Sequence, residues 1–395
     1  MRFLILNTDY DGFLKHLYAQ HPGLSSKSYS EQLDIRMQSL FGVADFYSSN
    51  LNKLGHEAYD IHANNFSMQR AWANEHDHSI EVMENPASRS HWLARARYLA
   101  AKTPLRSLKH RFNKNKPTHR PKQPDWFYKI LAAQIKYYAP DVILNQDMWS
   151  IDSEFLASVK QPKTFVIGQH AATQLPEDID LSGYDLLISS FLPMLQFFQR
   201  KAAHIPAELH RLGFEETLLP ALTETSEVYD LTFVGSFTEI HSSRTRLIEE
   251  LCRQFPQLKI WSPSADVARN SLLKSHYVGE AWGMDMYRIL KRSKITINHH
   301  GNVPDYANNL RLYEATGVGT MLITDWKTNL PELFDVDNEI RAYQTTEECI
   351  DLIGYYLQHA DERESIAQAG QKRTLKDHTW LKRMQELVVI IDKYA

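Results

Sequence analysis

Short apolar runs that each end in polar residues recur along this chain with helical stretches between them, and that alternation leaves few folds open. RFLILN (2–7) runs into the turn-forming TDYDG, and HEAYDIHAN (56–64), DVILNQD (141–147), KTFVIGQH (163–170) and YDLLISS (184–190) repeat the form. Helical patterns over 40–54, 127–138 and 193–201 fill the gaps. Strands that alternate with helices predict parallel βαβ units, because parallel neighbours need a crossover connection. The rhythm pauses at EETLLPALTETSEV (215–228) and restarts at YDLTFVGSF. A helix over 243–255, the strand LKIWSP, a helix over 283–292, the strand KITINHH, a helix over 308–316 and the strand GTMLITD follow. Two α/β domains are expected, over 1–220 and 221–376, with a last helix in 377–395. A chain of 395 residues also exceeds what one core usually organises.

Composition excludes more than it selects. A net charge of −4, with 23% charged and 11% aromatic residues, describes a folded protein and gives no reason to expect a nucleic-acid partner. Cys252 and Cys349 are too few for a disulfide framework or a thiolate metal site. The opening MRFLILNTDYDG is too short an apolar stretch for a signal peptide or membrane span, which predicts a cytoplasmic protein. One segment departs from the average: residues 85–124 carry eleven Lys or Arg and no Asp or Glu. Such an insertion is either a solvated segment or an adhesive for an acidic acceptor or for anionic lipid headgroups on the inner face of a membrane.

In parallel sheets ligands bind beyond the carboxyl ends of the strands, so the polar residues just after each apolar run are the site candidates. They are Asn7 to Gly12, Asp147 and His170 in the first half, and Gly235 to Arg244, Ser262 and His299 to Asn309 in the second. Walker, GxGxxG, HExxH and GxSxG sequences are missing. Nothing points to a covalent nucleophile or a metal site. His299 and His300 are neighbours at a strand end, which predicts opposite faces and no shared ion. In NHHGNVPDYANNLRLYEATGVGTMLIT (298–324), a glycine turn enters a helix whose first amides can receive a phosphate. Arg311 and Glu314 share a face of that helix, either holding a ligand or forming a solvent-exposed ion pair.

The segment NLRLYEATGVGTMLITD, with LFDVDNEIRAYQTTEECIDLIGYYL after it, resembles the carboxyl-terminal domain of the nucleotide-sugar glycosyltransferases of the GT-B fold. It is similar to the glycosyltransferase-4 type and, within it, to the CgeB-like subgroup. The motif order spans Phe233 to Arg383. FVIGQHAATQLPEDID and YDLLISSFLPMLQFF resemble the acceptor domain of the same enzymes. The resemblance implies two Rossmann-like domains facing across a cleft, with the final helix crossing back to brace the first. It also implies a nucleotide-sugar donor, a glycan, lipid-linked or small-molecule acceptor, and neither cofactor nor metal.

Residue by residue, the resemblance makes Glu314 the acceptor of the ribose hydroxyls. It puts the diphosphate on the amides of Asn308, Asn309 and Leu310 beside His300 and Gly301. Arg311, Arg244 and Ser236 are implied as phosphate contacts, and Val278 and Gly279 in YVGE as backbone contacts to the base. Two departures stand out. The retaining enzymes carry a second glutamate eight residues earlier, where this chain has Tyr306. Ser236 stands where a basic residue is usual. Sugar transfer builds charge on the departing diphosphate, and an inverting reaction adds a base at the acceptor hydroxyl. His170, Asp9 and Asp11 are the candidates for that base, with Asp147 behind them. The rivals are a nucleotide-sugar epimerase or hydrolase of the same fold, and a non-catalytic glycan-binding protein on a decayed transferase scaffold.

Overall fold

The computed structural model describes residues 1–78, 123–172, 175–223, 226, 228–237, 242–263, 267, 270–301 and 305–395. Nearly all of the basic stretch 85–124 lies outside the described residues.

The first sheet contains β1 (Arg2–Asn7), β2 (Glu57–His62), β3 (Val142–Asn145), β4 (Phe165–Gln169), β5 (Leu186–Ser189) and β6 (Ala207–Leu209). Its order is β2-β1-β3-β4-β5-β6, with every pairing parallel. The second sheet contains β7 (Tyr229–Val234), β8 (Leu258–Trp261), β9 (Tyr277–Gly279), β10 (Ser293–Asn298), β11 (Met321–Asp325) and β12 (Arg341–Tyr343), ordered β12-β11-β10-β7-β8-β9 and again parallel throughout. Helices cover both faces of each, so β3, β5 and β11 are buried along their whole length, which is why they read as unbroken apolar runs. Each sheet reverses its winding once, between β1 and β3 in the first and between β7 and β10 in the second. Those two reversals open the crevices in which parallel sheets take ligands.

Three local expectations need correction. The helix expected over 40–54 starts only at Phe46, because Leu40, Gly42 and Ala44 all adopt positive φ and break the turn before it. A helix the apolar pattern did not reveal, Tyr29–Gln38, begins at a Ser28/Glu31 capping box. The helix expected from 308 is Arg311–Gly317. Asn308 and Asn309 are drawn away from it by side-chain bonds to Ala171 O and Asn298 Oδ1, and Leu310 O accepts the first helical bonds. The strands β6, β9 and β12 were not foreseen; three residues are too few to show a period.

The chain returns to the first domain at its end. Helix Trp380–Tyr394 packs on helix Phe46–Lys53, with Trp380, Met384, Leu387 and Ile391 in one core with Tyr47 and Leu51. Lys393 Nζ and Tyr394 OH both donate to Glu208 Oε1, at 2.7 and 2.5 Å. A second joint lies at Gly283, whose φ is +53° and where an added Cβ would stand 1.7 Å from Ser39 O. Only glycine fits, and Met284 N then donates to that carbonyl at 3.0 Å.

Candidate functional site

At the second reversal, the end of β7 and the turn after β10 lie side by side. Arg244, on the helix Ser242–Gln254, is buried and spends its fork on both: Nε and Nη2 donate to His299 O at 2.9 and 2.6 Å, and Nη1 to Ser236 O at 3.0 Å. Burial lowers its pKa to about 10, which still leaves it charged at neutral pH. Arg244 is therefore neither a surface residue nor a free phosphate fork; it ties the two loops into one floor. Arg311 opens the next helix, and its Nη1 donates to Glu314 Oε2 at 2.7 Å while Nη2 reaches Val234 O at 3.2 Å. Of the two readings the spacing left open, the solvent-exposed pair does not hold, since the side chains are only 14% and 8% exposed. Burial raises the Glu314 pKa against the pull of Arg311. Val278 is half-exposed on the edge strand, and Gly279 O accepts from Ser262 N at 3.1 Å, so that carbonyl is engaged within the sheet.

His299 and His300 do not part as a strand alternation predicts. Asp325, at the end of β11, accepts from His300 N at 3.0 Å and His300 Nδ1 at 2.7 Å, with His299 Nδ1 3.9 Å from its other oxygen. The strand ends at Asn298, so its alternation no longer governs the two residues and both rings come near one carboxylate. Gly301 N donates to His299 Nδ1 at 2.8 Å, which leaves the His299 proton on Nε2. Burial pushes His299 down to about 4 and keeps it neutral. Among the described residues no group of three or more His, Cys, Asp or Glu could hold a metal ion.

The first reversal holds the acceptor-side candidates. Asp9 is buried between Arg36 Nη2 at 2.7 Å and His62 Nδ1 at 3.1 Å. Burial opposes its charge, but the His62 and Arg36 contacts outweigh it and hold the carboxyl below the usual range. A carboxylate so stabilised is a weak proton acceptor, which corrects Asp9 as a base. Asp147 accepts from Thr8 Oγ1 and from the amides of Trp149 and Ser150, so it too is a loop builder. Asp11 is exposed at the first position of helix Asp11–Gln20, where its charge suits the helix dipole. His170 is half-buried just past β4, and its carbonyl accepts from Ser189 Oγ at 2.6 Å. Its neighbour Ala171 O accepts from Asn308 Nδ2 at 2.6 Å, so the His170 loop touches the turn before helix Arg311–Gly317 directly.

Tyr306 explains itself by position. It is 8% exposed and belongs to the core of the first domain, its ring 5.8 Å from Phe191. Trp282 likewise leaves its own domain, edge-on to Phe41 at 5.0 Å and beside Gly12, whereas Tyr313 packs on Phe334 and His378. Residue-level reading also missed an amide chain across the carboxyl ends of the first sheet. Asn7 Nδ2 donates to Gln146 Oε1, Gln146 Nε2 to Gln169 Oε1, and Gln169 Nε2 to Tyr47 OH, at 3.1, 3.1 and 2.7 Å. The signal was present in the polar endings of RFLILN, DVILNQD and KTFVIGQH.

The architecture is shared with solved glycosyltransferases. A glycosyltransferase from Rickettsia africae superposes over 100% of this chain and 98% of its own, with TM-score 0.56 at 11% identity. AviGT4, a glycosyltransferase of avilamycin A biosynthesis, covers 100% and 98% with TM-score 0.57 at 11% identity. Anabaena HepE, solved with UDP and glucose, covers 99% of each chain with TM-score 0.56 at 10% identity. At such identities the likeness establishes the fold. Residues 244–388 match the family model described as glycosyl transferase-like. The chain has the GT-B fold of those enzymes, and its carboxyl-terminal part carries the glycosyl transferase-like signature. No curated protein sequence matches it. The match begins at Arg244, so the glycosyltransferase signature takes in the guanidinium that joins the two loops, the Arg311–Glu314 pair and the returning helix, and it ends at Val388. Among the described residues no helix is long and apolar enough to cross a membrane.

Proposed function

We propose that this protein is a glycosyltransferase that moves a sugar from a nucleoside diphosphate donor to a hydroxyl of a glycan, lipid-linked or small-molecule acceptor, without a metal. The observation that carries this is the reversal between β7 and β10, where Arg244, the Arg311–Glu314 pair and the turn at Gly301 converge. The diphosphate sits over that turn, and the guanidinium groups of Arg244 and Arg311 stabilise the charge that gathers on it as the glycosidic bond breaks. Glu314 exchanges its bond to Arg311 for the ribose hydroxyls, which frees Arg311 for the phosphates. HepE was solved with UDP, and a uridine donor is proposed here by that likeness. His170 stands on the acceptor side as the group that contacts the sugar or takes the hydroxyl proton; Asp11 is its exposed alternative.

Titration calorimetry with UDP tests the donor site. Glu314→Ala should weaken UDP by about tenfold, the scale of a lost charged hydrogen bond. Absence of binding by UDP and by the other nucleoside diphosphates would remove the proposal and leave the glycan-binding alternative.

A further inference from the structure

A cavity of about 730 Å³ opens at the carboxyl ends of β10, β11 and β12, on the far side of Arg244 from β8 and β9. Its wall carries the Trp326 indole, 36% exposed, next to Asp325 and His299. Asp325 is 7% exposed, and its buried Oδ2 accepts no hydrogen bond; the closest cation is Lys327 Nζ at 3.4 Å, with Nδ1 of the neutral His299 at 3.9 Å. With Nδ1 of His299 occupied by the Gly301 amide, the proton that His299 has to offer is on Nε2. The cavity is thus walled by a flat apolar ring and a neutral donor, with the Asp325 carboxylate buried behind them and Glu250 and Glu347 on its other sides.

Charge selects among ligands. Glu250, Asp325 and Glu347 face Arg246 and Lys327 around this space, three carboxylates against two cations, with His299 neutral. The helix end at Thr345 is already capped, since Thr345 Oγ1 accepts from Glu348 N and Glu348 Oε2 accepts from Gln344 N. A phosphate finds no net positive charge there, and the helix start is already flanked by Glu347 and Glu348. A sugar ring, which offers a C–H face to an indole and hydroxyls to a carboxylate and an imidazole, matches every wall.

We infer that this cavity is a subsite for a neutral sugar ring of the acceptor glycan, separate from the nucleotide and resting on the glycosyl-transfer reading above. Its inner wall, His299 and Asp325, is continuous with the donor-side turn through the His300 bonds to Asp325, so a glycan held here is anchored beside the donor. The test is calorimetry on the full chain with glucose, galactose, mannose, N-acetylglucosamine and maltose, each with and without saturating UDP. At least one sugar should bind in the millimolar range, equally with and without UDP. Trp326→Ala should weaken it by about tenfold while UDP affinity stays within about twofold. No binding across the panel, binding unchanged in Trp326→Ala, or displacement by UDP would each overturn the subsite. Loss of UDP binding in the unmodified protein would count against the donor assignment alone, because the sugar titration without UDP is read independently.

Discussion

The two domains contain the same small motif put to different ends. In each, an aspartate at one strand end meets a histidine at the end of the neighbouring strand: Asp9 and His62 across β1 and β2, Asp325 and His300 across β11 and β10. In the first domain Arg36 completes the pair, with side-chain exposures of 3% and 1%, and the cluster is sealed. In the second, the cation is Lys327 at 3.4 Å, and the carboxylate borders an open cavity. A permanent guanidinium in hydrogen-bonding contact makes a brace. A looser ammonium beside a carboxylate at the edge of a cavity leaves room for a ligand, which is why the chemistry is sought in the second domain.

That contrast is easiest to break by removing the cations. Arg36→Ala leaves a buried carboxylate without its charge partner and should cost about 3–5 kcal/mol of stability by urea denaturation. Lys327→Ala should cost under half as much, because water entering the cavity can solvate Asp325. Equal losses would mean that the two clusters are equivalent braces.

Tyr306 sharpens the comparison at the domain junction. Tyr306→Ala deletes a ring from the first domain's core and should cost about 3 kcal/mol. Tyr306→Glu, which supplies the carboxylate found in retaining relatives of the resembled type, should be at least as destabilising and should not raise turnover, since the side chain faces Phe191. A gain in sugar-transfer rate would show that this position reaches the donor.

The smallest effect expected is a pH dependence of opposite sign in the two domains. Burial pushes the Asp60 carboxyl up from 3.8 to about 7. Between those values the folded state keeps a proton that the unfolded state has lost, so this group's contribution falls as pH rises. His299 runs the other way, from 6.5 down to about 4. In that window the unfolded state binds the extra proton, and stability is lost as pH falls. Asp60→Asn should therefore gain on the unmodified protein in melting temperature from pH 5 to pH 8. His299→Gln should lessen the loss from pH 6.5 to pH 4. A reversed sign in either would show that the group is not buried as described.

Legibility in the sequence followed the range of the interaction. Runs such as VILN and LLIS were readable because a strand covered on both faces needs every residue apolar. Arg311 and Glu314 were readable as neighbours because one helical turn joins them, but their burial was not, since Val234 arrives from 77 residues away. Asp9 looked like a free cleft carboxylate until the register of β1 on β2 brought His62 to it, and a helix hidden from the apolar pattern brought Arg36. The histidine pair misled for a local reason: alternation holds only while the strand lasts, and the strand ends at Asn298.

By itself the sequence determined two parallel α/β domains, the glycine turn and helix proposed to receive a donor, and the last helix, because apolar period, glycine turns and short-range pairing are written in consecutive residues. Tertiary structure alone decided that Asp9 is a brace, that Tyr306 belongs to the other domain's core, that Arg244 is a tie between loops, and that Asp325 gathers two histidines beside an open cavity. Each of those depends on which strand ends lie side by side, and that order follows from how the crossovers pack.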